Sequence, residues 1–175
     1  FPRSWVSLHV SHHRFSIGSL QRISEILLEW IPDIYAPNAD EAFEFDTNIW
    51  RQFFETLFAA VNSPALAMET FPEQKRRAIW KIAGDVREQG AQLLKRTWEA
   101  IGWETDEDSR NLHGFERMGG YQVQFVPDLV GPIVELCLSV HANLRSVATE
   151  VLRSMIVSAW ELDQDLSIIQ TAMID

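Results

Sequence analysis

The sequence predicts an all-α protein whose helices stack in an antiparallel array. Along most of its 175 residues, apolar side chains recur at spacings of three and four, the period of an amphipathic helix. No segment shows the sustained alternation that is typical of a strand, so we predict no sheet. One periodic stretch continues for about 30 residues, which is roughly 45 Å of helix. Because one compact core covers so long a helix poorly, the pattern favours a layered array.

The first part of the chain predicts two helices and a loop. Residues 3–13 indicate a short helix, and residues 19–30 a second one, which Pro32 ends because proline disfavours helix at the residue before it. The apolar faces of these helices are Trp5, Leu8 and His12 in the first, and Ile23, Ile26, Leu27 and Trp30 in the second. Residues 32–45 combine prolines with several acids, which predicts an acidic loop.

A third helix is predicted from Asp46 or Thr47, either of which can cap it, to about Val61. Its apolar face is wide and aromatic, which indicates contact with two neighbouring helices rather than one. That face comprises Ile49, Trp50, Phe53, Phe54, Leu57, Phe58 and Val61. Pro64 then begins a short helical turn that ends near Glu69.

The 30-residue stretch predicts one long helix over residues 72–101. Thr70 is the expected cap, proline occupies the first turn, and Gly102 is the expected stop. Its apolar stripe contains Ile79, Ile82, Val86, Gly90, Leu93, Thr97 and Ile101. Because Gly90 lies on this stripe, we expect another helix to approach closely there.

The last third predicts a loop and three further helices. Residues 103–120 are polar and acidic, which predicts a flexible surface loop. Pro127 opens a helix through Leu138, and Asn143 is the expected cap of the next one. The apolar stripe of that helix is Leu144, Val147, Val151, Met155 and Ala159. Asp163 or Asp165 caps a final helix, which runs from Leu166 to at least Met173.

The composition narrows the possible functions. A net charge of −10 argues against a nucleic-acid binder, which needs a basic face. The basic residues concentrate on the predicted long helix, where a solvated face is favoured over a docking stripe for an acidic partner: Lys75, Arg76, Arg77, Lys81, Arg87, Lys95 and Arg96. Seven Trp and ten Phe predict a large aromatic core, with some rings facing neighbouring domains.

Cysteine usage and the chain ends suggest a piece of a cytoplasmic protein. Cys137 is the single cysteine, so no intramolecular disulfide forms, and a reducing cytoplasmic compartment is expected. The sequence shows no signal peptide and no apolar run of the ~20 residues that a membrane span needs. It opens at Phe1-Pro2 without an initiator Met and stops within a helical pattern. We expect residues 1–175 to form one helical domain of a larger multidomain protein.

Four groups of residues have some features of a functional site, but each favours a structural role. His9 and His13, with His12 between them, have the spacing of two metal ligands on a helix, but a clear third ligand is missing. The acidic run from Asp40 to Asp46 lacks the glycine and closing glutamate of a calcium loop.

The segment Ser16-Ile-Gly-Ser19 lacks the strand and the spacing of a nucleophile elbow. Trp80 and Trp98 could form a ligand box, yet at helical spacing they are expected to pack. We therefore predict no catalytic residue, no cofactor and no metal site.

The order of several segments resembles a known family. These segments are Asn48-Ile-Trp50-Arg-Gln-Phe-Phe54, Phe71-Pro-Glu-Gln-Lys-Arg-Arg77, Gly84-Asp-Val-Arg-Glu-Gln-Gly90, Trp98-Glu-Ala-Ile-Gly102 and Phe125-Val-Pro-Asp-Leu-Val-Gly-Pro-Ile-Val-Glu135. Together they resemble the helical region upstream of the catalytic exchange domain in DOCK-family (dedicator of cytokinesis) guanine nucleotide exchange factors. The similarity is best over about residues 46–155. The chain departs from the family pattern in residues 103–120, which are longer and more acidic.

The resemblance implies a parent protein that activates Rho-type GTPases such as Rac or Cdc42 by expelling their nucleotide. That chemistry would belong to a later domain, so no catalytic residue is carried over to this chain. The corresponding family region is an armadillo-like α-solenoid that spaces and orients the membrane-binding and exchange domains. The implied partners are other domains of the parent, with the GTPase and the membrane reached only through those domains.

Two other functions remain open at this point. The chain could be an independent α-solenoid interaction module unrelated to GTPases, with residues 72–101 as its docking surface. It could also be a helical metalloenzyme that uses His9, His12 and His13.

Overall fold

The computed structural model describes residues 5–31, 45–68 and 71–174. It confirms the all-α helical array, to which it adds one short hairpin. In chain order the elements are α1 (Val6–Glu29), α2 (Thr47–Val61), α3 (Glu73–Ala83), α4 (Val86–Ala100), β1 (Trp103–Glu104), α5 (Glu107–His113), β2 (Arg117–Met118), α6 (Val130–Cys137), α7 (Ala142–Asp163) and α8 (Ser167–Ile174). Short 3-10 turns occupy Pro64–Leu66 and Gly120–Phe125.

The helices form successive layers around one hydrophobic core. At one end α1 packs on α2, α3 and α4; α4 then packs on α7, and α6 packs on both α7 and α8. At the centre Phe54 is fully buried, with its ring centroid 5.6 Å from that of Phe125 and 5.7 Å from that of Trp98. These edge-to-face contacts join α2 to α4 and to the turn before α6, so aromatic packing ties the middle layers together.

The predicted single helix over residues 72–101 is wrong, because the chain breaks between α3 and α4. Gly84 adopts φ 70° and ψ −176°, a conformation that is essentially restricted to glycine. Asp85 then caps α4: its side chain accepts hydrogen bonds from the backbone N–H groups of Arg87 and Glu88, at 3.1 and 3.2 Å. The end of α3 and the beginning of α4 are therefore adjacent, although the spacing of apolar residues continues without a break across them. The predicted cap, Thr70, lies outside the described residues.

The predictions of no sheet and of a flexible loop over residues 103–120 are also wrong. β1 and β2 pair antiparallel, with Trp103 opposite Met118 and Glu104 opposite Arg117. Between them α5 is capped by Asp106, whose side chain accepts from the Ser109 backbone N–H at 2.7 Å. Strands of two residues are too short to show an alternating pattern, which is why the sequence did not reveal them.

Several helix ends differ from the prediction. α1 is one helix rather than two, because the segment between the predicted pair continues the helix through Gly18. α6 begins at Val130 rather than Pro127, after a turn closed by the Val130 N–H and the Pro127 carbonyl. His141, not Asn143, caps α7, and its Nδ1 accepts from the Leu144 N–H at 3.1 Å.

Other sequence expectations are confirmed. Asp46 caps α2, and α2 is buried along most of its aromatic face. Asp165, one of two expected caps, accepts from the Ser167 N–H at 2.8 Å. At Gly90 a Cβ atom would lie 2.2 Å from Cγ1 of Val61, so the close helix approach expected there is present.

Candidate functional site

The histidines of α1 do not form a metal centre. Nδ1 of His13 lies 2.7 Å from the carbonyl oxygen of His9, so one ring nitrogen bonds the helix's own backbone. The rings of His12 and His13 meet edge to face, with centroids 5.5 Å apart. The described residues contain no group of three or more His, Cys, Asp or Glu side chains that could hold a metal ion.

The acidic run, Ser16 and the two tryptophans also have structural roles where the structure describes them. Residues 40–44 of the acidic run lie outside the described residues, and Asp46 is committed to capping α2. The Ser16 hydroxyl donates to the His12 carbonyl at 3.0 Å, within the same helix. Trp98 is buried on α4, whereas Trp80 is 40% exposed on α3, so the two indoles do not form a box.

Cys137 is a poor nucleophile in this setting. The thiol is half-buried at the end of α6. Burial raises its pKa above the usual value, although a hydrogen bond with Thr149 acts in the opposite direction. Since the thiolate is the reactive form, the cysteine is expected to react slowly at neutral pH.

The basic residues predicted to share one helix divide between two helices. On α4, Nζ of Lys95 lies 3.1 Å from both carboxylate oxygens of Glu150 and 3.5 Å from Glu99. The hydrogen bond to Glu150 raises the pKa of Lys95, helped by the charges of both glutamates and opposed by partial burial. On α3, Arg77 pairs with Glu73 and Lys75 lies 4.1 Å from the Phe71 ring centroid.

A cleft of about 450 Å³ lies between α4, α7 and the segment before β2. Inside it Nε1 of Trp98 donates to the Ser154 hydroxyl at 2.7 Å, and that hydroxyl donates to the Val151 carbonyl. Lys95 and Glu150 bind each other within the lining of the same cleft. Because these polar groups serve one another, the cleft does not pair a nucleophile with a general base.

A smaller cavity of about 200 Å³, which we call the elbow pocket, lies where α3, α4 and the start of α7 meet. Its charged and aromatic lining consists of Arg76, Trp80, Asp85, Arg87 and His141. Leu66, Met68, Val86 and Val140 supply its apolar lining. The sequence pattern hid this pocket, because a continuous helix over residues 72–101 would have no elbow.

Among the described residues, many of the exposed large apolar side chains lie on α1 or at the end of α7 and on α8. We call the first group the α1 face; its members include Phe15, which is 75% exposed, and Trp30, which is 63% exposed. It consists of Trp5, Leu8, Phe15, Ile23, Ile26 and Trp30. We give the name α8 face to the exposed apolar side chains at the end of α7 and on α8, which are Trp160, Leu162, Ile168, Met173 and Ile174. Exposed apolar patches of this kind are typical of protein contact surfaces.

The α1 face reverses the orientation expected from the sequence. Ile23, Ile26 and Trp30 were predicted to form the packed stripe of their helix, but all three are exposed. The side of α1 that faces the core carries Val6, Val10, Ile17, Leu20 and Ser24. Since α1 carries apolar residues on both sides, the spacing of apolar residues in the sequence did not show which side packs against the core.

No helix among the described residues is both long and apolar enough to cross a bilayer. The candidate site is a set of surfaces on a helical body: the α1 face, the α8 face, one cleft and the elbow pocket.

Comparison with known proteins identifies a family. The family model described as the dedicator of cytokinesis (DOCK) TPR region matches residues 1–175. The chain is similar to dedicator of cytokinesis protein 3 of Mus musculus and of Homo sapiens, and to dedicator of cytokinesis protein 4 of Homo sapiens. Each is 22% identical over 161 residues, which covers 92% of this chain and 7% of the relative. The chain thus spans a small part of these relatives, and no solved structure matches it.

Proposed function

The chain belongs to the dedicator of cytokinesis (DOCK) TPR region family, and from this membership we propose that it is a non-catalytic helical scaffold segment of a DOCK-type guanine nucleotide exchange factor. The match of the family model to the full 175 residues is the observation that carries the proposal. In this proposal residues 1–175 fold as one domain of a multidomain cytoplasmic protein that activates Rac- or Cdc42-like GTPases.

The layered packing supports a spacer role. In an α-solenoid each layer contacts only its neighbours, so the core continues from one unit to the next and the terminal layers need covering. Among the described residues, the α1 face and the α8 face expose apolar side chains on the first helix and on the last two helices of this array. We assign them to contacts with flanking helices of the parent, as in an armadillo-like solenoid.

The exchange chemistry is assigned to another domain of the parent. The polar groups in the α4–α7 cleft bind one another, and Asp46 and Asp85 are engaged as helix caps. In this proposal the GTPase and the membrane are reached through other domains of the parent, whose spacing this segment sets.

A nucleotide-release assay tests the non-catalytic role. Purified 1–175 should leave the release of a fluorescent GDP analogue from Rac and Cdc42 at its spontaneous rate, whereas the full-length parent should accelerate it on one of them. Acceleration by the isolated segment would refute the proposal.

A substitution on the α1 face tests the scaffold contact. Because Phe15 is largely exposed in this segment, Phe15→Glu should change the melting temperature of isolated 1–175 little. In the full-length parent, where we expect the ring to be covered, the same change should lower the melting temperature. Leu112→Glu, at an equally exposed position on α5, is the matched control and should be neutral in both. If Phe15→Glu behaves alike in both proteins, the α1 face is not an internal contact.

A further inference from the structure

We propose that the elbow pocket binds a peptide segment of a partner protein in which an apolar side chain is flanked by acidic residues. The pocket combines an apolar floor with the guanidinium group of Arg76, on a helix rich in positive charge. This adds a binding site to the scaffold role and does not depend on the exchange activity of the parent.

The size of the pocket fits one side chain of a larger ligand. Its volume is about 200 Å³, whereas pockets for drug-sized molecules are roughly 300–1,000 Å³. Leu66, Met68 and Val86 line it and are themselves buried, so the floor is apolar and fixed. Val140 stands exposed within the same lining. A leucine-like side chain entering between them would leave the rest of its peptide over α3.

The polar lining favours a negatively charged ligand. Asp85 supplies the carboxylate of the lining, and both of its oxygens are engaged: Oδ1 caps α4, and Oδ2 lies 3.2 Å from Nε2 of His141. The guanidinium of Arg76 stacks 5.8 Å from the Trp80 ring centroid, and its buried Nε has no hydrogen-bond partner among the described residues. Because Arg76 lines the pocket, a carboxylate that enters it would meet the positive charge of this guanidinium, and charge-assisted bonds of that kind are strong.

The surroundings add positive charge to this part of an acidic protein. α3 carries Lys75, Arg77 and Lys81 besides Arg76, with Glu73 as its one acid. The net charge of the chain is −10, so its overall charge repels an acidic ligand, whereas the basic residues of α3 attract the ligand to the elbow pocket. This contrast supplies specificity for the elbow as well as affinity.

An anionic membrane fits the elbow less well than a peptide does. An interfacial helix needs an exposed apolar face, but Ile79 of α3 is buried and Trp80 is the large exposed apolar side chain that the structure describes on this helix. The site is also concave, which suits an inserted side chain rather than a flat surface. We therefore commit to a protein ligand.

Fluorescence anisotropy with purified 1–175 tests the proposal. The probe is a fluorescein-labelled peptide with a leucine between two pairs of glutamates, and the control peptide has lysines in place of the glutamates. The acidic peptide should bind saturably and the lysine peptide should not. Arg76→Gln should weaken binding at least about tenfold, the size of one lost charge-assisted hydrogen bond.

Arg77→Gln is the matched control, because it removes the same charge from the next residue of α3, which pairs with Glu73 and does not line the pocket. It should weaken binding less than about threefold, as expected for screened surface charge. Val140→Glu adds a carboxylate to the lining at an exposed position, so it should abolish binding without unfolding the protein. This second variant keeps the test valid if Arg76→Gln folds poorly.

Three results would overturn the proposal. Equal losses in Arg76→Gln and Arg77→Gln would indicate diffuse electrostatic attraction. Absence of saturable binding of the acidic peptide up to about 1 mM would leave no site, since weaker binding falls below a useful affinity. Binding to vesicles of phosphatidylcholine and phosphatidylserine without peptide binding would make α3 a membrane surface instead.

Discussion

α3 and α4 are consecutive parts of one periodic stretch of sequence, yet the fold uses them in opposite ways. α4 is packed between α1, α2 and α7, and buries Val86, Gly90, Ala91, Leu93, Leu94, Thr97 and Trp98. α3 lies at the edge of the array against α1, and among its described side chains Ile79 is the buried one. The comparison shows that a shared period defines a common face but does not determine whether that face is covered.

The largest difference should appear when an apolar side chain is shortened in each helix. Leu94 of α4 is 1% exposed, so Leu94→Ala should lower the free energy of unfolding by about 2–5 kcal/mol. Ile79→Ala in α3 should cost less, about 2 kcal/mol or below, because the edge of the array can relax around the cavity. Urea denaturation of both variants measures the difference. Equal losses would show that α3 is as much a part of the core as α4.

Two glycines test how tightly α4 is packed. Gly90→Ala gains about 1 kcal/mol of helix propensity, but the new Cβ would lie 2.2 Å from Cγ1 of buried Val61. Overpacking of this kind costs about 1–3 kcal/mol, and so severe an overlap belongs near the upper end, so the free energy of unfolding should fall by about 1–2 kcal/mol. In α1 the Cβ of Gly18→Ala would meet no neighbouring side chain or other helix within 4 Å in the described part of the chain, so this change should raise the free energy of unfolding by up to about 1 kcal/mol. Two changes of the same sign in thermal denaturation would contradict this prediction.

The junction between the two helices can be tested at its cap. Asp85→Ala removes the acceptor for the Arg87 and Glu88 N–H groups and should lower the free energy of unfolding by about 1 kcal/mol. Asp85→Asn keeps an accepting oxygen and should cost less. If Asp85→Ala instead increases helical circular dichroism without loss of stability, α3 and α4 have merged into one helix and the comparison fails.

The smallest expected effect distinguishes the lysines of the two helices. Because the folded protein raises the pKa of Lys95, its ion pair contributes stability that is complete below the unfolded pKa of about 10.4 and is lost as the pH rises through the folded pKa. The side chain is 45% exposed, so Lys95→Gln should cost no more than about 1 kcal/mol at pH 7.

Lys81→Gln on α3 is the matched control and should change stability little, since the side chain is exposed and forms no ion pair with another described residue. Chemical denaturation at pH 7 and at about pH 11 should show the Lys95→Gln deficit shrinking at the higher pH. A deficit that is independent of pH would mean that the side chain acts through packing rather than through charge.

The helical class, the buried aromatic face of α2 and the position of Gly90 on the apolar stripe of its helix could be predicted from the sequence, because each shows in residues three or four apart on one helix. The junction at Gly84 and Asp85 could also have been predicted, since a glycine followed by an aspartate is a helix stop next to a helix cap. The unbroken apolar stripe outweighed that signal. A local cap can therefore decide a boundary that periodicity leaves open.

Other features depend on contacts that are distant in sequence and could not be predicted from spacing. The hairpin pairs Trp103 with Met118 across α5, and the exposed side of α1 is determined by where α2 and α4 pack. The elbow pocket is lined by residues of α3 and of the start of α7, which are far apart in sequence, so no local sequence pattern indicates that they meet. The family resemblance was predicted from the order of short segments, and the match to residues 1–175 confirms it.

The two hydrogen bonds of the His141 imidazole indicate which of its nitrogens carries the hydrogen. Nδ1 accepts from the backbone of Leu144, so in the neutral ring the hydrogen belongs on Nε2, which faces Oδ2 of Asp85 across 3.2 Å. A single tautomer thus serves two helix origins that are 56 residues apart in the chain.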